Sequence, residues 1–567
     1  MTAATILTAI LISLRPGSED LLAQQPAESV TFSVVEATIP EMRDALTQGR
    51  TTVHEIVRQS LDRIDQFEGR LNAVITVNRR ALAEADALDK ERRRGHVRGP
   101  LHGIPIALKD NIQTTDMPTT GGALAFAGLV PAHEATLTTR LRRAGAVIIA
   151  KTVMTELANW VAVGMPGNYS SLAGFGFNPY DPRPDPRPGL ADGRPVLGTG
   201  GSSSPIGTAA SFWAASVGTE TSGSILSPSS QGMLVGIKPT VGRVSRYGVI
   251  PITADQDTPG PMARTVTDAA IVLGVLEGTK PDKHDAATRA CTPPPHNDYT
   301  AFLKRDGLRG ARIGIPRAYF YDPVATPGVT GMTGGLSRPL RSVMDEAIAV
   351  LREAGATIVD PADIPSVLAT DPDRNFVEWS ICAGEGKGQD QGCSVSFKYG
   401  MKRDFNAWLA SQGRRAPVKS LTALREWNLA HASKGTLKYG QVLLDQSDEM
   451  DVQADKARYA TDRAKDVRLS ATEGIDAALR AHALDALLFP GPLGAALAAR
   501  PGYPSIIVPF GLVPASQAGL PADFDPKPSP FGVTFTASAC SEPRLIELAY
   551  AFEQATKRRQ PPLLTGP

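Results

Sequence analysis

Cysteine is scarce in this chain, four residues in 567, and none stands in C-x-x-C spacing. That excludes the compact zinc-binding and dithiol patterns. Net charge is nearly absent as well, at +1. No Lys/Arg cluster of the size a polyanion surface needs is present, so no nucleic-acid partner is expected. The basic run Arg92-Arg93-Arg94 is short and reads as a solvated helix end. Eight histidines are scattered without an H-E-x-x-H motif or a close pair, and neither a metal nor another cofactor is implied. Long apolar runs are missing too. Ala3 to Leu14 is apolar but too short for a stable membrane anchor. It has signal-peptide length, yet it lacks a basic front and meets Arg15 where a cleavage site belongs. Two readings stand: a cytoplasmic protein with a surface tail, or an exported or periplasmic one with an imperfect signal.

Cys382 and Cys393 flank a Gly-rich stretch. They close a small loop in an oxidising compartment or remain two unrelated thiols in a reducing one.

What is present is the composition of a soluble globular protein, 42% hydrophobic and 21% charged. A helix is expected over about 40–47, and Thr52-Val53-His54-Glu55 reads as a capping box opening a second helix. Its apolar stripe is Val57, Leu61 and Ile64. Such an arm packs on the body or on a second copy of the chain, so a homodimer is among the expected assemblies. From Leu71 onward short apolar runs alternate with helices. Leu101 to Leu108 reads as a strand, Leu137 to Ala144 as a helix stopped by Gly145, and Ala146 to Ala150 as a strand. The rhythm returns at Ala311 to Ile315, Val343 to Ala354 and Thr357 to Val359. An α/β fold follows, with strands buried between helices.

Two segments look inserted. Pro179 to Leu197 is too proline-rich for helix or inner strand and is expected as an exposed loop beside the pocket mouth. The second, about 375–464, is mainly helical and carries Trp379, Phe397, Tyr399, Phe405, Trp408, Trp427 and Tyr439. As a region it suits a substrate cover; each aromatic taken singly suits ordinary packing.

The chemistry concentrates between Gly198 and Arg264. Gly200-Gly201-Ser202-Ser203-Ser204 forms one turn, and Gly218-Thr219-Glu220-Thr221-Ser222-Gly223-Ser224-Ile225 forms another. Glycine lets backbone N–H groups converge on a ligand, and serine supplies hydroxyls that a base can activate. The first turn lacks the G-K-[ST] ending of a phosphate-binding loop.

With Gly103 to Asn111, Gly236 to Thr240, Asp257 to Arg264, Gly502 to Ser505 and Phe552 to Thr556, these turns make the chain resemble the amidase signature family from about Thr38 to Thr556. The resemblance implies a single large mixed β-sheet covered by helices on both faces. It also implies one domain over 38–567, behind a tail at 1–37. It places Ser224 on the nucleophile, Ser202 on the cis-serine and Lys109 on the base. The two turns stand about two residues closer than in the family pattern, which makes Ser203 a rival of Ser202. Ser222 stands where many members carry glycine. Asp257 and Arg264 match a pair read as bracing the serine loop.

The implied activity is hydrolysis of small carboxylic amides or anilides through an acyl-enzyme, extending to esters or carbamates. A neutral Lys109, buried among Ile104, Ile106 and Leu108, deprotonates Ser202, which relays the proton from Ser224. Asp110, next in sequence, either pairs with Lys109 or, on a strand, points to the opposite face. Backbone N–H groups of Thr221, Ser222, Gly223 and Ser224 are expected to hold the oxyanion, and Met154 and Trp160 to contribute pocket wall. Two rivals remain, a transferase-type amidotransferase subunit that releases ammonia from glutamine and a non-catalytic small-molecule binding module.

Overall fold

The structure, a computed structural model, describes residue 1 and residues 32–564. The apolar segment Ala3 to Leu14 lies outside these residues. The described chain is built on an eleven-stranded sheet. Its strands are β1 (Val74–Val77), β2 (Pro105–Lys109), β3 (Val147–Thr152), β4 (Ala215–Glu220), β5 (Val235–Lys238), β6 (Thr258–Ala263), β7 (Arg312–Gly314), β8 (Thr357–Val359), β9 (Ala486–Pro490), β10 (Ser505–Val513) and β11 (Ser529–Thr536). Across the sheet the order is β1-β3-β2-β4-β6-β5-β10-β11-β9-β7-β8. Pairing is mixed: β2 runs parallel to both β3 and β4, whereas β4 with β6 and β10 with β11 are antiparallel.

The central strands are buried along their whole length, as Pro-Ile-Ala-Leu-Lys in β2 and Val-Ile-Ile-Ala-Lys-Thr in β3. Near-continuous apolar runs of this kind need cover on both faces, and helices supply it. Strand β2 starts at Pro105 rather than Leu101, because Leu101 to Gly103 make a turn whose Gly103 has φ +83°. The helix expected from Val343 starts earlier, at Arg338, and ends at Glu353.

The amino-terminal arm consists of α1 (Ile39–Thr47) and α2 (Val53–Leu71). The reciprocal capping box belongs to α1: Glu41 N donates to Thr38 Oγ1 at 3.3 Å, and Thr38 N donates to Glu41 Oε2 at 2.8 Å. At α2 only half of the expected box forms. Glu55 N donates to Thr52 Oγ1 at 3.1 Å, but the Glu55 carboxylate is drawn to Arg58 and Gln59 instead. The arm docks on its own body, where Ile39 N donates to Asp268 Oδ1 at 2.8 Å and the Arg264 guanidinium reaches Ala37 O.

Pro179 to Leu197 contains no helix and only one isolated bridge, between Pro184 and Pro195. It is not wholly exposed. Asp181 and Asp185 are buried against Arg183 and Arg187, and Asp192 accepts from the Tyr439 hydroxyl. Short local ion pairs thus stiffen a loop that proline keeps out of regular structure.

The segment over about 375–464 is mainly helical. Phe397, Phe405, Trp408, Leu421 and Leu443 form one apolar cluster with Phe126, Leu157, Trp160, Ile250 and Ile252. Its aromatics therefore pack as core, and the region as a whole sits over the loops that follow β3 and precede β6. Trp160 Nε1 donates to Ser447 Oγ at 2.9 Å, and Leu443 N donates to Val161 O at 3.0 Å. Two disulfides are present, Cys382–Cys393 within this segment and Cys291–Cys540 across 249 residues.

Candidate active site

Strand β2 ends on Lys109, and Asp110 opens the turn that follows. Asp110 Oδ1 lies 3.2 Å from Lys151 Nζ on β3 and takes no part with Lys109. Lys109 is buried, and its Nζ has three oxygen neighbours: Ser202 Oγ at 2.9 Å, Thr219 Oγ1 at 2.9 Å and Thr219 O at 3.1 Å. Burial pushes this amine down to about 7, against the pull of Asp257 and Glu220 in the other direction.

The two serine turns press against each other, and glycine is what allows it. A Cβ on Gly201 would stand 2.7 Å from Ser224 Cα, and one on Gly200, which has φ +85°, would stand 2.6 Å from the Ser227 carbonyl carbon. Ser202 and Ser203 are separated by their partners. Ser202 Oγ meets Lys109, while Ser203 Oγ donates to Thr219 O at 3.1 Å and accepts from Thr219 N at 3.2 Å. Ser203 is thus tied to the backbone of β4, and Ser202 is the serine beside the lysine.

Two expectations about this turn need correction. Among the described residues the one cis peptide bond precedes Pro361, so the bond before Ser202 is trans. The reversal is made instead by the left-handed Gly200, at no steric cost. The Ser202–Ser224 hydrogen bond of a complete relay is also not made. Ser224, at 9% exposure, has a hydroxyl with no partner among the described residues, whereas Ser202 is already engaged by Lys109.

The second turn is held from behind. Glu220 Oε2 accepts from Ile225 N at 2.7 Å and Leu226 N at 3.0 Å, capping helix α3 (Leu226–Gln231). Thr221 Oγ1 donates to Asp257 Oδ1 at 2.5 Å, and Gln256 Nε2 donates to Thr221 O at 3.1 Å. Asp257 also accepts from Ile252 N and Thr253 N, and burial raises its carboxyl to about 7. None of these braces uses a backbone N–H of residues 221–224. Among the described residues the backbone N–H groups of Thr221, Ser222, Gly223 and Ser224 have no protein acceptor. They form a turn of unspent donors at the candidate nucleophile, the arrangement that stabilises a developing oxyanion.

Asp257 and Arg264 do not pair. Asp257 braces the second turn, while Arg264 donates to Thr208 O at 3.2 Å and Trp213 O at 2.9 Å, bracing the segment after the first turn. Met154, expected in the pocket wall, is fully buried two residues beyond β3 and lines none of the cavities described. Next to it, Thr155 N donates to Ser202 O at 3.2 Å. The sequence reading did not single out Thr219, Glu220, Gln256 or Asn111. Asn111 stands two residues beyond Lys109, in the turn that ends β2.

A cavity of about 10 Å³ lined by Asn111, Thr219, Thr221 and Asp257 adjoins the lysine. A far larger one, about 770 Å³, lies beside Arg140, Gly274 and Tyr299 and includes none of these groups. Chemistry, not size, marks the site. Among the described residues no cluster of three or more His, Cys, Asp or Glu is placed to hold a metal ion.

The Amidase family model matches residues 55–546. A probable amidase of Arabidopsis thaliana is 34% identical over 545 residues, covering 95% of this chain and 94% of that protein. Among solved structures, the native peptide amidase from Stenotrophomonas maltophilia is 36% identical with a TM-score of 0.75, covering 93% of this chain and 98% of the other. A glutamyl-tRNA(Gln) amidotransferase subunit of Chloroflexus aggregans is 39% identical, but only over 57% of this chain and 59% of its own length.

Proposed function

This chain belongs to the amidase family and hydrolyses amide bonds; from that premise we propose that Ser224 is its nucleophile, Ser202 its proton relay and Lys109 its base. The observation that carries the reading is the 2.9 Å contact of a buried Lys109 amine with Ser202 Oγ. A lysine serves as a base only when neutral, and burial brings this one down to about 7, where a substantial share of the amine is neutral.

In the cycle Lys109 takes the Ser202 proton, Ser202 takes that of Ser224, and Ser224 Oγ bonds to the amide carbonyl carbon. The carbonyl oxygen becomes an oxyanion facing the free N–H groups of 221–224. The relay reverses to protonate the leaving nitrogen as the C–N bond breaks, giving an acyl-enzyme. Water then adds to the acyl carbon by the same relay and releases the acid. Productive use requires the Ser224 hydroxyl to come within hydrogen-bond reach of Ser202 Oγ.

The substrates proposed are amides of small carboxylic acids, with peptide amides first. Full-length likeness to a peptide amidase supports that order. Anilides, esters and carbamates form the outer range. The amidotransferase reading rests on a likeness over little more than half of the chain. A panel of dipeptide amide, primary amide, anilide, ester, carbamate and glutamine tests the assignment. Turnover of dipeptide and primary amides by the lone chain is expected. Ammonia release from glutamine alone would favour the amidotransferase reading, and no turnover of any member would favour a binding module.

A further inference from the structure

Two side chains outside the proposed triad converge on the lysine. Thr219, on β4, offers Nζ both its hydroxyl and its carbonyl. Its hydroxyl has one further neighbour, Asn111 Nδ2 at 3.0 Å. The same nitrogen stands 3.3 Å from Ile250 O. A carbonyl only accepts, so this contact fixes the orientation of the Asn111 amide: nitrogen faces Ile250 O and Thr219 Oγ1. The opposite orientation would set two acceptors together. Asn111 Oδ1 is left buried without a partner, which shows that the amide's placement serves its nitrogen.

Proton counting then limits what Lys109 can do. An ammonium has three N–H donors, and three oxygens surround it. A neutral amine has two N–H donors and one lone pair. The Thr219 carbonyl must receive one N–H. If the Thr219 hydroxyl receives the second, the lone pair faces Ser202 and the amine is a base toward it. If the Thr219 hydroxyl donates to the lone pair, Lys109 can only donate to Ser202 and is idle. Asn111 donates into one lone pair of Thr219 Oγ1 and holds that oxygen, rather than the Thr219 methyl, against Nζ, where it accepts the third N–H of the ammonium.

We infer that Thr219, held by Asn111, is the positioning residue that seats the ammonium formed when Ser202 gives up its proton. This rests on the triad reading above. The charged groups around the lysine are Glu220 at the end of β4 and Asp257 before β6, with Asp110 held on the far side by Lys151 of β3.

The test is the pH profile of kcat/KM for an amide with Thr219→Val, Thr219→Ser and Asn111→Ala. Valine keeps the volume and removes one acceptor, which costs the ammonium more than the amine because bonds to a charged donor are stronger. The plateau should fall by about tenfold or more, and the midpoint of the ascending limb should move toward acid. Serine should restore both, and Asn111→Ala should move the midpoint in the same direction by less. A valine variant with an unmoved midpoint, or a serine variant as impaired as valine, overturns the inference. Lys109→Ala separates the two levels. If it retains turnover, the triad reading fails and the seat with it. If it is inactive while Thr219→Val is unaffected, the triad stands and the seat fails.

Discussion

Lys109 is the residue on which the proposed chemistry turns. Its amine is neutral only above about 7, so amide hydrolysis should rise through neutral pH to an alkaline plateau. At pH 5 the neutral fraction, and with it kcat/KM, is expected about 100-fold below that plateau. A rate at pH 5 equal to the plateau would contradict a lysine base. The pair Ser202 and Ser203 makes a second residue-scale prediction. Ser202→Ala should remove most amide turnover and much less ester turnover, since an activated ester's leaving group needs no proton. Ser203→Ala loses only backbone contacts to Thr219 and should stay within about tenfold of the parent. Equal losses from the two would refute the assignment. These residues were legible in sequence because each sits in a contiguous motif. The Thr219–Asn111 contact was not, since it depends on how β4 lies beside β2, a register no local pattern states.

At the scale of elements, buried polar braces hold the catalytic turns where apolar packing alone would not. Arg264 is the clearest case: its guanidinium serves Thr208 O, Trp213 O and Ala37 O, joining the first serine segment to the amino-terminal arm. Arg264→Met should destabilise by about 3 kcal/mol or more, because three carbonyls lose a charged donor at once. Chemical denaturation reads the change directly, and a loss below about 1 kcal/mol would show that water replaces the guanidinium. Sequence reading gave Arg264 and Asp257 one shared role, bracing the serine loop; the structure divides that role between the two turns, because adjacency in a motif does not reveal which strand ends meet. The capping residues show the same limit: Thr52 and Thr38 both head helices, and the choice of full box fell to neighbours Arg58 and Gln59, which compete for Glu55.

For the whole molecule, the β-α-β rhythm of buried apolar strands was enough to read an α/β sheet, while strand order was not, since β10 and β11 insert between β5 and β9 from the far end of the chain. The same long-range closure appears in Cys291–Cys540, which nothing local in the sequence announced. On the chain-entropy account a cross-link spanning 249 residues stabilises by about 5 kcal/mol, and the 11-residue Cys382–Cys393 loop by about 3 kcal/mol. A reductant should therefore lower Tm, with Cys291→Ser/Cys540→Ser losing more than Cys382→Ser/Cys393→Ser. Four free thiols in the oxidised protein, or a Tm indifferent to reductant, would contradict this.

The claim on which the account rests is that Ser224 forms the covalent intermediate. Phosphonylation by a fluorophosphonate probe, mapped by peptide mass spectrometry on the active enzyme, measures it most directly. The account predicts a single modified peptide carrying the adduct on Ser224, loss of turnover in proportion to labelling, and no adduct in Ser224→Ala. An adduct on Ser202, Ser203 or any other serine, or full labelling of Ser224→Ala, would contradict it.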